Sequence, residues 1–174
     1  MRPNDPPGPA GPENQVIMKE KQITISCQVF ESMEQLDARD RALCEAAMEA
    51  RKSSYAPYSG FNVGAAVLLE GGITVKGSNQ ENAAFPSSLC AERTAMYSAS
   101  ANYPGKAMLG IAIVGGKAMS ITDKPVTPCG ACRQVMAEYE KRSGVHMSIL
   151  LIGRDEVWKF SRVEDLLPYI FDSI

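Results

Sequence analysis

Three cysteines and one glutamate, arranged in two short motifs, constrain this chain more than any other feature. Residues 90–92 read Cys-Ala-Glu, and residues 128–132 read Pro-Cys-Gly-Ala-Cys. Cys90, Cys129 and Cys132 can supply three thiolate ligands to a zinc ion. A structural zinc site has four protein ligands, whereas a site with three leaves one position for water. The motifs therefore predict a reactive zinc site, with Glu92 free to move the protons of the zinc-bound water.

Both motifs are expected at the starts of helices, and this sets the geometry around the ion. Thr127 can cap a helix over residues 128–141 that has Pro at its first position, and a second helix is predicted over 88–101. Helix N-termini favour negative charge and lower thiol pKa values. Glu92 follows Cys90 by two residues, roughly 200° around a helix, so the ion is expected just beyond the helix end.

A zinc ion with three thiolates carries a formal charge of −1, which weakens its effect on a bound water. Arg93 follows Cys90 by three residues and can reach the sulfur atoms. We expect Arg93 to donate to a zinc thiolate and to restore part of the acidity of the bound water.

A purely structural zinc module is the alternative, and it would need a fourth protein ligand. Cys27 and Cys44 lie among apolar neighbours and are predicted to be core residues. His146, the one histidine, falls in a predicted strand far from either helix start. None of the three has a suitable spacing.

The order of predicted elements indicates the fold class. Strands are expected over residues 61–69, 73–76, 109–114, 145–152 and 157–161, and a helix over 32–52 is expected to open with a capping box at Ser32 and Gln35. Alternating strands and helices predict an α/β protein, a three-layer α/β/α sandwich with a mixed five-stranded sheet. Residues 1–22, rich in Pro and Gly, are predicted to be a disordered tail, and residues 23–174 a single domain. Residues 22–30 alternate well enough to form an extra strand.

Charge and composition exclude several classes of partner. The net charge is −2 with no basic stripe, which argues against nucleic acid and for a small-molecule substrate. No apolar run reaches the roughly 18 residues of a membrane span, and the N-terminal residues lack the apolar core of a secretory signal. Five cysteines, an odd number, without an export signal predict a reduced chain in the cytoplasm.

A polar segment before the first zinc motif is a candidate substrate site. Residues 79–85 read Asn-Gln-Glu-Asn-Ala-Ala-Phe, and their amides and carboxylate suit sugar hydroxyls, although such residues also cap turns in ordinary loops. Phe61 can pack in the core, stack on a base, or do both.

Residues 55–171 closely resemble the small, homotetrameric, zinc-dependent cytidine deaminases whose metal ligands are all cysteines. The matching segments are Phe61-Asn-Val-Gly-Ala-Ala66, Asn79-Gln-Glu-Asn-Ala83, Cys90-Ala-Glu-Arg-Thr-Ala95, Pro128-Cys-Gly-Ala-Cys-Arg-Gln134 and Leu166-Leu-Pro168. The spacing Cys-x-Glu followed by Pro-Cys-x-x-Cys is shared by zinc-dependent nucleobase deaminases. Asn62 stands where relatives more often carry Pro or a basic residue, which is expected to alter the pocket wall slightly.

The resemblance implies a function and a site. It implies hydrolysis of cytidine and 2′-deoxycytidine to uridine and 2′-deoxyuridine in pyrimidine salvage, with one Zn²⁺ per subunit on Cys90, Cys129 and Cys132, and Glu92 as proton shuttle. Asn79 and Glu81 would bind the ribose 3′-hydroxyl, Phe61 would stack on the base, and the backbone at Ala91 would hold the base carbonyl. Ala83 and Phe85 would also contact substrate. In the implied homotetramer, Phe85 and Phe171 would reach a neighbour's pocket.

Two other deaminase classes share the metal chemistry. A deaminase of polynucleotides would need a basic, aromatic-lined channel, which the charge disfavours. A deaminase of another small substrate need not keep Asn79-x-Glu81. That motif favours a nucleoside.

Overall fold

One mixed sheet forms the centre of the computed structural model, which describes residues 18–172. Its strands are β1 (Gln28–Phe30), β2 (Phe61–Leu69), β3 (Thr74–Ser78), β4 (Met108–Lys117), β5 (Ser148–Ile152) and β6 (Val157–Phe160), in the spatial order β1-β6-β5-β4-β2-β3. The β4–β5 pair is parallel and the others are antiparallel. The predicted mixed sheet is confirmed.

The predicted number of five strands is wrong, because β1 adds a sixth at the edge. It pairs with β6 in the register Gln28↔Lys159, Val29↔Trp158 and Phe30↔Val157. The strand is only three residues long, and residues 22–27 form no strand. Apolar alternation suits an extended chain but does not say whether a strand joins the sheet.

Three α-helices cover the two faces of the sheet. They are α1 (Ala38–Arg51), α2 (Ala91–Asn102) and α3 (Gly130–Ser143). On one face, α1 buries Leu43 and Ala47 against alternate residues of β2, β4 and β5. On the other face, α2 and α3 bury Met96 and Met136 against the intervening strand residues. The arrangement is therefore the predicted α/β/α sandwich.

Close packing of α2 against β3 depends on Gly77. A Cβ atom at this position would lie 2.4 Å from the Ala95 nitrogen and 2.7 Å from the Ala91 carbonyl oxygen. Only glycine allows such an approach. Gly77 therefore lets the first turn of α2, which follows Cys90 directly, lie against the sheet.

Helix α1 begins later than the sequence predicts. Ser32 precedes a short 3₁₀ turn, Met33–Gln35, and its side chain makes no capping hydrogen bond. The cap of α1 is Asp37, whose Oδ1 accepts from the Asp40 backbone nitrogen at 2.8 Å. Two cap-like sequences lie five residues apart, and the extended, buried Leu36 separates them.

The predictions for Cys27, Cys44 and the N-terminal residues have different outcomes. Cys44 is buried as predicted, but Cys27 is exposed, so its assignment to the core is wrong. Of the predicted tail, residues 1–17 lie outside the described residues, and residues 18–22 are exposed without regular secondary structure. None of the helices within residues 18–172 has the length and apolar character needed to cross a membrane.

Candidate metal centre and active site

Cysteine occupies the N-cap position of both helices at the site. Cys90 precedes α2 and Cys129 precedes α3, each with extended backbone dihedrals and no side-chain capping bond. The predicted cap at Thr127 is therefore wrong, since the helix begins at Gly130. At the N-cap position neither sulfur atom is used in a capping bond, and the first N–H groups of each helix have no partner within the helix.

The sulfur atoms of Cys90, Cys129 and Cys132 all lie within 4.8 Å of one another. Cys129 Sγ is 3.5 Å from Cys132 Sγ. Tetrahedral zinc with bonds of about 2.3 Å separates its thiolates by about 3.8 Å, so the three sulfurs fit one zinc ion per chain. Within residues 18–172, no fourth Cys, His, Asp or Glu joins this cluster. His146 lies elsewhere, with Nδ1 3.7 Å from Glu140 Oε1.

Hydrogen bonding among the thiols favours a thiolate at Cys90. The Cys132 thiol, and then Arg93, lower the pKa of Cys90 to about 5 against the opposing effect of burial. The same hydrogen bond with Cys90, together with burial, raises the pKa of Cys132. The thiolate is the form of cysteine that binds a metal ion.

Arg93 lies beside the cluster, where the sequence places it. Its Nη2 is 3.5 Å from Cys90 Sγ, and that thiolate raises the pKa of the guanidinium. Its Nε is buried without a hydrogen-bond partner among the described residues. The guanidinium therefore faces the sulfurs and not a carboxylate.

Glu92 is a buried carboxyl group at the same helix end. Glu92 is only 5% exposed, and this burial raises the pKa of its carboxyl group above the usual value. Contacts with a backbone N–H and with Cys132 act in the opposite direction without cancelling that effect. Glu92 does not belong to the three-sulfur cluster, so its carboxyl group stays available for proton transfer.

A cavity of about 390 Å³ opens beside the cluster, large enough for a small ligand. It brings together most of the predicted site residues, namely Phe61, Asn79, Glu81, Phe85, Cys90, Ala91, Glu92, Arg93 and Cys129. Cys132 is fully buried and does not line the cavity. Ala83 is exposed and does not line the cavity.

Asn79 and Glu81 hold the backbone around the cavity. The Asn79 side chain accepts from the Val63 nitrogen and donates to the Phe61 carbonyl, both at 2.8 Å. Glu81 Oε2 accepts from the Tyr58 nitrogen at 2.8 Å, and Oε1 accepts from the Ser59 hydroxyl. The Ser59 hydroxyl is the main cause that lowers the pKa of Glu81. Each side chain retains capacity for a further hydrogen bond.

Five apolar or partly apolar residues of the cavity wall were not predicted from the sequence, and one of them is Leu89, just before Cys90. Val63 and Ile113 come from β2 and β4, and Val126 and Thr127 come from the segment before α3. Because side chains alternate along a strand, Val63 lies on the same face as Phe61. The alternation in β2 could therefore have predicted Val63 as a residue of the cavity wall. Val126 and Thr127 carry no comparable pattern.

Comparisons of sequence and of structure with known proteins agree with one another. Residues 37–147 match a family model described as the cytidine and deoxycytidylate deaminase zinc-binding region. A cytidine deaminase of Sporosarcina psychrophila is 43% identical over 125 residues, covering 72% of this chain and 85% of that protein. One of Halalkalibacterium halodurans is 46% identical over 96 residues, covering 55% and 68% respectively. The crystal structure of a Burkholderia pseudomallei cytidine deaminase matches with a TM-score of 0.65 at 44% identity, covering 75% of this chain and 97% of that one.

Proposed function

Because this chain belongs to the cytidine and deoxycytidylate deaminase family, we propose that it hydrolyses cytidine and 2′-deoxycytidine to the uracil nucleosides and ammonia. The observation that carries the proposal is a buried carboxyl group, Glu92, beside a cluster of three thiols in one cavity. Three ligands leave a coordination position for a reactant, as a hydrolytic zinc site requires.

The chain's own residues account for the proton transfers. When bound, zinc supplies a Lewis acid that makes a water molecule acidic. Glu92 takes a proton from the attacking water and gives it to N3 of the base as the new C4–O bond forms. Glu92 then moves the proton of the new C4 hydroxyl to the amino group, which leaves as ammonia while the carbonyl forms.

The charged groups of the cavity favour a nucleoside over a nucleotide. Among residues 18–172, Arg93 is the one cation that lines the cavity, and it faces Cys90. Glu81, whose pKa is lowered, presents a negative charge where the sugar is proposed to bind. A phosphate on the sugar would lie near the negative charge of Glu81, and no free cation among the described lining residues would pair with the phosphate.

We therefore expect kcat/KM for CMP to be at least about tenfold below that for cytidine, since an unpaired like charge costs a factor of that order or more. A spectrophotometric assay with cytidine, deoxycytidine, CMP and cytosine measures the ratio. In Glu81→Gln, kcat/KM for CMP should come closer to kcat/KM for cytidine, and KM for cytidine should rise. Turnover of none of the four compounds would refute the proposed function, and a preference for CMP would refute the nucleoside assignment.

Arg93 is proposed to offset the charge of the thiolates. We expect Arg93→Gln to lower kcat or zinc affinity by about 10- to 100-fold, the usual effect of removing a group that hydrogen-bonds a metal ligand. Steady-state kinetics and zinc titration measure the two effects. Arg142→Gln is the control, because Arg142 bonds to the Ser100 hydroxyl, away from the thiols. Unchanged zinc affinity and unchanged pH–rate profile in Arg93→Gln would rule out this role.

We also propose a cytoplasmic homotetramer that acts in pyrimidine salvage. All five cysteines are free, which suits a reducing compartment. Phe85 and Phe171 are 67% and 68% exposed, and the Gln134 side chain bonds to both backbone groups of Phe171. A ring held outward in this way is available to a neighbouring subunit. Sedimentation equilibrium distinguishes four chains from one.

A further inference from the structure

Arg51, at the end of α1, is a buried cation that, within the described part of the chain, binds only backbone carbonyl groups. The residue is 3% exposed. Its Nε donates to Asn62 O at 2.9 Å, Nη1 to Met119 O at 3.0 Å, and Nη2 to Gly116 O at 2.9 Å and Ser120 O at 2.5 Å. Within residues 18–172 no carboxylate pairs with it. A planar guanidinium can serve four acceptors at once, which an ammonium group cannot.

These four bonds join two segments that lead to the cavity. Asn62 and Gly116 are partners across β2 and β4, near the end of the ladder. After Gly116 the chain bends through Ala118 and Met119, both with positive φ, which costs energy for residues other than glycine. The chain then runs on to Val126, in the cavity wall. Arg51 thus fixes the bend from the α1 face of the sheet.

Phe61 and Val126 both lie over Gly115, on the opposite face of the sheet. A Cβ atom at Gly115 would lie 2.9 Å from Phe61 Cε1 and 2.9 Å from Val126 Cγ2. The two side chains therefore form one apolar surface, here called the Phe61–Val126 wall. Its shape depends on how the start of β2 sits relative to the segment after β4.

We infer that Arg51 is a positioning residue that sets the Phe61–Val126 wall from the far side of the sheet. The inference rests on the proposed function, because the wall is where the base would stack. Loosening Arg51 frees Asn62 and the 116–120 bend together, so Phe61 and Val126 lose their fixed spacing. Reactant and transition state both stack on the wall, so the effect falls on KM more than on kcat.

The test compares Arg51→Met and Arg51→Lys with Arg41→Met, using cytidine kinetics, zinc content and thermal unfolding. Arg41 is the matched control: it also donates from α1 to two carbonyls, Glu34 O and Leu36 O, but lies roughly 15 Å earlier along the helix. We expect KM to rise about 5- to 20-fold in Arg51→Met, part of the loss seen when a stacking ring is removed, with kcat within about threefold. Arg41→Met should lower the unfolding temperature without changing KM.

Arg51→Lys keeps the charge and the buried stem, so it carries the test if Arg51→Met does not fold, and its KM should rise as well. Gly115→Ala pushes the wall directly and should show the same rise in KM. Unchanged KM in the folded Arg51 variant, or in Gly115→Ala, would overturn the inference. A wild-type protein that does not turn over cytidine would instead refute the proposed function, so the two failures are distinguishable.

Discussion

Replacing Glu92 with glutamine should lower kcat for cytidine by about 1,000-fold while KM and zinc content change little. General acid–base catalysis contributes about 10²- to 10⁴-fold, and Glu92 is proposed to make both proton transfers. Glutamine has nearly the same volume and fills the same buried position, but it cannot exchange a proton at neutral pH. Steady-state kinetics with metal analysis of the same preparation measure the effect.

Glu138→Gln is the control for this change. Glu138 is exposed on α3 and does not line the cavity, so its loss should leave kcat unaltered. If Glu92→Gln kept more than about a tenth of the wild-type kcat, the proton-shuttle assignment would fail, since even the weakest general acid–base effects exceed that factor. The fold assignment would be unaffected.

Replacing Cys129 with serine should remove zinc and activity together. Cys129 is an exposed N-cap residue, and serine is a preferred N-cap, so α3 should still begin at Gly130. Serine cannot provide the thiolate, so zinc affinity should fall by at least about 100-fold. Zinc per chain, measured after dialysis at micromolar protein, should fall from one towards zero, and cytidine turnover should fall in parallel.

Cys27→Ser is the matched control, because Cys27 is an exposed free cysteine outside the cluster. It should retain one zinc per chain and full activity. A chelator should lower the unfolding temperature of the wild type and of Cys27→Ser but not of Cys129→Ser, because bound metal stabilises only a chain that holds it. Full zinc occupancy in Cys129→Ser would show that the ion sits elsewhere.

The metal cluster could be predicted because its chemistry is local. Cys129 and Cys132 are three residues apart at a helix start, and that spacing alone brings two sulfurs together. The position of Cys90 could be predicted from the second motif, Cys-x-Glu, which was also expected at a helix start. The helix start itself was predicted two residues early, because Thr127 and Pro128 are typical of a cap and first turn, whereas cysteine is not.

What the sequence could not supply depends on contacts between distant segments. Arg51 and Arg41 are both arginines of one helix, and no local pattern separates them. Three of the carbonyls that Arg51 binds lie 65 to 69 residues away, so its burial appears only once β4 is placed. Strand β1 is similar: its alternation is visible, but its pairing with β6 depends on the assembled sheet.

The roles of Asn79 and Glu81 show the same limit. Their polarity indicates a binding segment, and both line the cavity. Their side chains also hold the backbone at Phe61, Val63 and Ser59, a role no local pattern predicts. The proposed sugar contacts and the shape of the base site are therefore linked through the same two residues.

Deamination of cytidine in H₂¹⁸O tests the central claim most directly. If a water molecule activated at the three-thiol site attacks C4, mass spectrometry should find one ¹⁸O atom in each uridine formed. One ammonia should appear per uridine, and the rate should follow zinc content. No uridine, or uridine without ¹⁸O from the solvent, would contradict the account.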